Sequence, residues 1–337
     1  MEQIVIGASG ITTSRVGLGT WAIGGWMWGG TDEAQSIATI RAAVARGVTL
    51  IDTAPAYGFG RSEEIVGKAL AEAGLRNKVQ IATKVGLSWK NGAVYRDSRP
   101  ACIRQEIEDS LRRLRTDAID LYQVHWPDSE TPIAETAWVL EKLRREGKIR
   151  SLGVSNFSPA QMDTFRAVAK LDAVQPPYNL FEREIEPDIL PYAQTTGLTV
   201  LSYGALCRGL LAGKISTRTK FAGDDLRKVD PKFQGEHFGQ YLSAVDALKA
   251  LARERFGKSI LALAVRWVLD RGPTIALWGA RRPDQIEPID EIEGWHIDEE
   301  TMKEIDAILK RCIANPISPE FMAPPLWRDS ERQLSAA

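Results

Sequence analysis

Val48-Thr-Leu-Ile-Asp52, followed by Thr53-Ala-Pro-Ala-Tyr57-Gly-Phe-Gly-Arg-Ser-Glu-Glu64, is the stretch on which the fold turns. Val48–Ile51 is a short apolar, β-branched run of the kind a fully buried strand uses, and it ends abruptly in a carboxylate. Asp52 therefore sits at a strand's C-terminal end. Pro55 forces a turn, Tyr57 follows in it, and Gly58 and Gly60 let the backbone come close to whatever binds there. Ser62-Glu-Glu is expected to cap a helix running to about Ala73. On this stretch alone a bland alternative stands: Asp52 capping the turn and Tyr57 packing on the surface.

Working outward, the same strand-turn-helix unit recurs. Apolar runs with strand character lie at Val16–Gly19, Val48–Ile51, Val79–Thr83, Ile119–Val124, Ser151–Val154, Ala173–Gln175, Leu198–Ser202 and Thr274–Leu277. Helix-like segments lie between them at Asp32–Arg46, Ser62–Ala73, Pro100–Leu114, Pro132–Glu146, Ser158–Ala169, Ile189–Thr196 and Ser259–Asp270. Eight strands alternating with helices force a parallel sheet, and eight such units close into an α/β fold of the TIM-barrel, (β/α)8, type. A doubly wound sheet would want G-x-G-x-x-G after its first strand, and Gly17-Leu-Gly19-Thr-Trp-Ala22 lacks the third glycine.

Ile4–Ile6 and Ile11–Thr13 flank the turn-rich Gly7-Ala-Ser-Gly10, so an N-terminal hairpin should precede the barrel. About seventy residues separate the seventh strand from the eighth, where other units take roughly thirty. Within this insertion Lys214–Gly239 reads as a long loop leaving the catalytic face, followed by a helix over Tyr241–Phe256. Extra C-terminal helical structure is expected at Asp298–Cys312, capped by Asp298. The four prolines of Asn315–Pro325 argue against a helix there. The chain 1–337 is thus expected to be one barrel domain with an irregular tail over 315–337, either disordered or lying back across the barrel mouth.

Composition narrows the function. Forty-three basic and 44 acidic side chains, net charge −1, leave no electrostatic footprint for nucleic acid or an anionic membrane, so small molecules are the expected partners. Cys102, Cys207 and Cys312 are too far apart for a disulfide framework or a metal knuckle, and no metal site is expected. With neither a secretory h-region nor a run of about 18 apolar residues, the expected location is the cytoplasm.

In a barrel the residue ending each strand faces the active-site end, and three such ends are ionisable. Asp52 ends the second strand, Lys84 the third (Ile81-Ala-Thr-Lys84) and His125 the fourth (Leu121-Tyr-Gln-Val-His125), with Tyr57 in the loop beside them. Individually, Lys84 and Asp52 could be a buried ion pair and His125 a satisfied core side chain; four coincidences on adjacent strands favour a joint site. The group makes sense as a proton donor. A phenol titrates near pH 10, a nearby ammonium is expected to lower that, and Asp52 keeps the lysine charged. His125 offers an N–H to a carbonyl oxygen. None of these is a hydride source, so a cofactor must provide it.

At these residues the sequence resembles the aldo-keto reductases over essentially its whole length. The matching motifs are Gly17-Leu-Gly-Thr-Trp21, Asp52-Thr-Ala-Pro-Ala-Tyr57-Gly, Ile81-Ala-Thr-Lys84, Asp120-Leu-Tyr-Gln-Val-His125, Gly147-Lys-Ile-Arg-Ser-Leu-Gly-Val-Ser-Asn-Phe157 and Gln175-Pro-Pro-Tyr-Asn179. Ile275-Ala-Leu-Trp-Gly-Ala-Arg281 and Pro319-Glu-Phe-Met-Ala-Pro-Pro325 look most like the bacterial branch of general stress aldo-keto reductases and glyceraldehyde reductases.

The resemblance implies an NADP(H)-dependent barrel enzyme that reduces small aldehydes, of the glyceraldehyde or methylglyoxal type, with a tetrad at Asp52, Tyr57, Lys84 and His125. By the same resemblance Ser155, Asn156 and Gln175 would hold the nicotinamide carboxamide and Tyr203 would stack on its ring. Gly204, Ala205, Leu206, Arg208, Gly209 and Leu210 would follow the phosphates. Thr20, Trp21 and Asp52 at the first strand ends, with Lys214 and Arg227 in the long loop, belong to the same expected set. Gly279, Ala280, Arg281, Arg282 and Gln285 after the eighth strand complete it, the two arginines meeting a 2′-phosphate. Trp21, Tyr57, His125 and Trp126 would wall the substrate pocket. The chain has Gly204-Ala-Leu where the family more often has Ser-Pro-Leu, and Pro288-Ile289 where many relatives place polar residues for the adenine.

Two other classes stay open on sequence. One is a cofactor-binding redox sensor or regulatory protein with weak reductase activity. The other is a Schiff-base lyase using Lys84, disfavoured because Asp52 would keep that lysine protonated.

Overall fold

The structure, a computed structural model, describes residues 1–326. An antiparallel hairpin of β1 (Gln3–Val5) and β2 (Thr12–Ser14) comes first. The chain then runs β3 (Val16–Gly19), α1 (Trp21–Gly24), α2 (Glu33–Ala45), β4 (Leu50–Asp52), α3 (Arg61–Glu72) and β5 (Gln80–Val85). A second hairpin, β6 (Leu87–Lys90) and β7 (Ala93–Arg96), precedes α4 (Pro100–Leu114), β8 (Ile119–Val124), α5 (Ile133–Arg145) and β9 (Ile149–Ser155). The remainder is α6 (Pro159–Arg166), β10 (Ala173–Gln175), α7 (Ile189–Thr196), β11 (Thr199–Ser202), α8 (Gly235–Phe256), α9 (Ile260–Leu269), β12 (Thr274–Gly279) and α10 (Glu299–Cys312). Strands β3, β4, β5, β8, β9, β10, β11 and β12 close a parallel barrel, as the alternation of elements predicts.

Two apolar compartments stabilise it. The larger lies between the sheet and its ring of helices. The smaller fills the barrel lumen, where Leu50, Ala82, Leu121, Ala173, Leu201, Ile275 and Leu277 meet Ile6 of the hairpin, which plugs that end. Strand side chains alternate in and out, so the residue two positions on from each lumen residue points into the lumen one layer higher. From Leu50, Ala82, Leu121, Ala173 and Leu201 that step leads to Asp52, Lys84, Gln123, Gln175 and Tyr203. An apolar floor is thus topped by a polar layer at the C-terminal ends of the strands.

Several local expectations need correction. Helix α3 is capped by Gly60 with φ +98°, not by Ser62, whose hydroxyl instead bonds Thr20 and Thr53 just past the C-terminal ends of β3 and β4. Helix α8 begins at Gly235, earlier than Tyr241, and the preceding loop holds 3-10 turns at Leu226–Lys228 and Pro231–Phe233. The proline-rich tail forms a 3-10 turn at Pro319–Met322, which tolerates Pro319 because an initial turn residue needs no N–H. Its next residues lie along β7, with Arg96 N–H donating to Pro325 O at 2.9 Å. Residues 327–337 of the expected tail lie outside the described residues. Among the described residues no helix is long and apolar enough to cross a membrane.

Helices α3 and α4 pack closely at Gly67. A Cβ on Gly67 would stand 2.3 Å from the Arg113 carbonyl oxygen, backbone that cannot swing aside. Gly67→Ala should destabilise the fold by about 1–3 kcal/mol through overpacking. Urea unfolding measures this, and an unchanged midpoint would mean the two helices separate at little cost.

Candidate active site

The polar layer centres on an ion pair. Lys84 Nζ lies 2.6 Å from Asp52 Oδ1, and the two side chains are 1% and 3% exposed. Nζ also donates to Thr53 O at 3.0 Å and to the Tyr57 hydroxyl at 3.3 Å. The other carboxylate oxygen, Asp52 Oδ2, accepts from Gln175 Nε2 at 2.8 Å and Gln123 Nε2 at 3.4 Å. Buried charge is tolerated only when paired and fully bonded, and here each charged group is.

The turn after β4 delivers Tyr57. Gly58, at φ +68°, lets the turn press against the first loop so closely that a Cβ would stand 2.1 Å from Gly24 O. Trp21 stacks on the Tyr57 ring at 5.9 Å and 22°, while His125 meets its edge at 5.7 Å. Burial, then the negative charge of Asp52, raises the phenol's pKa well above its usual value. This corrects the expectation of a lowered pKa: burial and the Asp52 charge outweigh what the ammonium 3.3 Å from the hydroxyl contributes. Burial pushes the lysine's own pKa below its usual value, and Asp52 opposes that shift. The His125 ring is held well below its ordinary pKa by burial and then by Lys84, so it is a neutral imidazole with one N–H to give.

A cleft of about 460 Å³ runs from Asp52 and Tyr57 between the ends of β11 and β12. Of the residues that sequence assigned to a cofactor, Thr20, Trp21, Tyr203, Gly204, Leu206 and Arg208 line it. So do Gly209, Lys214, Arg227, Gly279, Ala280, Arg281, Arg282 and Gln285. Ala205 is buried behind it. Ser155, Asn156 and Gln175 form a network deeper in the barrel mouth. Ser155 Oγ donates to Gln175 O at 2.7 Å, Asn156 Nδ2 donates to His125 O at 3.0 Å, and Tyr203 donates to Asn156 Oδ1 at 3.0 Å. The expected substrate wall divides: Trp21 lines the cleft, whereas Trp126 lies under Arg96, whose guanidinium is 5.2 Å from its ring centroid.

The cationic residues differ from expectation. Arg208 does not reach toward the cleft as a free cation; its guanidinium is buried between Glu182 Oε1 and Asp230 Oδ2, each 2.5 Å away. It can serve a ligand through backbone alone, in a loop where Arg208 has φ 52° and Gly209 φ 94°. Arg227 is held by the Asp225 carboxylate at 2.6 and 2.9 Å and lies over Phe221 and Trp28. Arg281 donates to Trp28 O at 2.7 Å, tying the eighth strand's loop to the first. Arg282, 49% exposed, pairs with Asp284 at 3.0 Å. Gln285 shapes this turn by accepting from the Arg281 and Arg282 N–H groups.

Sequence reading missed Gln123, although an amide inside a buried strand is its own signal. It also missed Ser259, Leu261 and Glu291, which line the cleft from segments with no motif, and Met322, whose motif was read for resemblance and not for a place in the cleft.

Because Asp52 and Lys84 are buried together, Lys84→Met should cost about 3–5 kcal/mol by leaving an uncompensated carboxylate. Asp52→Asn/Lys84→Met should recover part of that loss in urea unfolding. A double variant no more stable than Lys84→Met would show that the cost is one of packing.

Residues 15–310 match the model of the aldo/keto reductase family. The aldo-keto reductase YhdN of Bacillus subtilis (strain 168) is 60% identical over 96% of this chain and 98% of its own length. An NADH-specific methylglyoxal reductase of Escherichia coli (strain K12) is 36% identical over 94% of this chain and 99% of its own. Among solved structures, the glycerol dehydrogenase AKR11B4 from Gluconobacter oxydans superposes with a TM-score of 0.86 at 59% identity, covering 95% of this chain and 99% of that one.

Proposed function

The chain belongs to the aldo/keto reductase family of oxidoreductases, and we propose that it reduces small aldehydes to alcohols with NADPH, Tyr57 supplying the proton. The observation that carries this reading is the Tyr57 hydroxyl 3.3 Å from the ammonium of a lysine that is itself locked to Asp52, at the inner end of the cleft.

A nicotinamide dinucleotide supplies the hydride when bound. The residues present fit one: a long cleft opens on Tyr57, passes the glycine backbones of Gly204 and Gly209, and ends among Lys214, Arg281 and Arg282. Ser155, Asn156 and Gln175 would hold its carboxamide, Tyr203 its ring, and the 204–209 backbone its phosphates.

The chain's own groups handle the proton. Neutral His125 directs an N–H at the carbonyl oxygen and, uncharged, does not compete with Tyr57 as the donor. Tyr57, kept protonated by its burial, gives its proton to that oxygen as negative charge develops there; an alkoxide is the stronger base, so transfer runs downhill. The phenolate left behind sits beside the Lys84 ammonium, which now has a charge to stabilise. Trp21 and Trp28, edge to face at 5.6 Å, give the mouth a narrow aromatic wall. Such a wall suits a short substrate, and the names of two relatives, a glycerol dehydrogenase and a methylglyoxal reductase, support the three-carbon class.

Tyr57→Phe should retain cofactor affinity and lower kcat for aldehyde reduction by about 10²–10⁴-fold. Turnover near the wild-type value, measured with glyceraldehyde or methylglyoxal, would remove Tyr57 from the role.

Arg281 and the exposed Arg282 would be the cations to meet a 2′-phosphate; an NADH site would want a carboxylate for the free ribose hydroxyl, and Asp284 is paired with Arg282. Arg282→Ala and Arg281→Ala should each weaken NADPH binding about ten- to a hundredfold, near 1.5–3 kcal/mol, with little effect on NADH. Titrating both dinucleotides tests this. An undiminished NADPH preference in both variants, or a wild type that prefers NADH as the Escherichia coli relative's name describes, contradicts the assignment.

A further inference from the structure

Gln123 is fully buried in the polar layer, paired with Lys84 across one strand boundary and with Gly153 across the other. A primary amide in a barrel lumen is costly unless its hydrogen bonds are made. This one bonds on both sides: Nε2 donates to Asp52 Oδ2 at 3.4 Å and Oε1 accepts from Gln175 Nε2 at 3.2 Å. The neighbouring strand leaves space for it. A Cβ on Gly153 would stand 2.8 Å from Gln123 Cγ and 3.3 Å from its Oε1.

The chemistry of the partners dictates which way each amide faces. A carboxylate only accepts, so both amides turn their NH2 groups to Asp52. Gln175 Nε2 therefore has one hydrogen on Asp52 Oδ2 at 2.8 Å and the other on Gln123 Oε1. Both hydrogens are used, and only the carbonyl oxygen of Gln175 is left for a ligand. Asp52 alone would restrain one N–H and leave the amide plane free to rotate. Gln123 supplies the second point.

We propose that Gln123 is a positioning residue that locks the Gln175 amide so that it offers the nicotinamide carboxamide an acceptor and never a donor. The site thereby selects a ring substituent that carries an N–H. This rests on the reading of Gln175 as a carboxamide ligand.

The test uses the full-length enzyme and two oxidised dinucleotides, NADP+ and its 3-acetylpyridine analogue, whose methyl ketone keeps the carbonyl but has no N–H. The wild type should bind NADP+ about tenfold more tightly, the worth of one neutral hydrogen bond. Gln123→Met should bring the two affinities within about threefold. Gly153→Ala, which displaces the amide without removing it, should do the same and decides the matter if Gln123→Met does not fold. Gln123→Glu keeps an acceptor for Gln175 and should restore the wild-type ratio even as two facing carboxylates depress kcat. The inference is overturned if the wild type binds both dinucleotides alike, or if Gln123→Met and Gly153→Ala keep its preference. Failure of the wild type to bind either dinucleotide would remove the cofactor reading itself, a result distinct from both.

Discussion

A lysine and an aspartate buried against each other in a barrel lumen constrain everything around them. Two charges removed from water cost several kcal/mol each unless their geometry and remaining hydrogen bonds are satisfied. Here satisfaction is collective. Lys84 is bonded by Asp52, Thr53 and Tyr57, and Asp52 by Lys84, Gln123 and Gln175. These groups come from strands β4, β5, β8 and β10 and the turn after β4, so the pair is stable only if the strands keep one register. A slip of one residue would turn each of these side chains out of the lumen. The apolar floor from Leu50 to Leu277 and the polar layer above it are two rows of one side-chain alternation.

A second buried charge cluster serves the cofactor end. Arg208 and Lys232 meet Glu182 and Asp230, joining the loops that follow β10 and β11, with Phe321 of the tail over Arg208. Arg208 stays cationic because those carboxylates outweigh the burial that opposes its charge. Its value lies in holding a left-handed backbone loop in shape. Nearby, Asp224 accepts the N–H groups of Met27 and Gly29, and Arg281 bonds Trp28 O, so the first, seventh and eighth loops close on one another around the cleft. Ligand contacts at this end come from fixed backbone and from few free cations.

What was legible in the sequence follows from the same physics. Parallel barrel strands are buried on both faces and read as continuous apolar runs, so all eight stand out, as do helices with conventional caps such as Ser158 and Asp298. Hairpin β6–β7 is half exposed and carries Lys90, Asn91 and Arg96, so it lacks that signal. The first turns of α8, with Gly235, Glu236 and Gly239, look like loop because packing on the neighbouring turns holds them helical. Of the site, Asp52, Lys84 and His125 were legible because they are chemical misfits at strand ends, and Tyr57 because it sits in the turn beside them. The roles of the arginines were not: Arg208 is claimed by Glu182 and Asp230, 26 and 22 residues away, and nothing in the sequence says that Arg227 turns to the acid two residues before it rather than to a ligand.

Burial and the Asp52 carboxylate together outweigh the Lys84 ammonium, so Tyr57 rests as a protonated phenol, loaded for donation. The direct measurement is tyrosinate absorbance in the wild type minus Tyr57→Phe, titrated without ligand from about pH 7 to about pH 11. The account predicts no Tyr57 phenolate anywhere in that range, since burial and Asp52 both hold its pKa above the usual value. A phenolate appearing within that range would contradict it and would mean that the lysine's charge prevails over burial and Asp52 at the phenol.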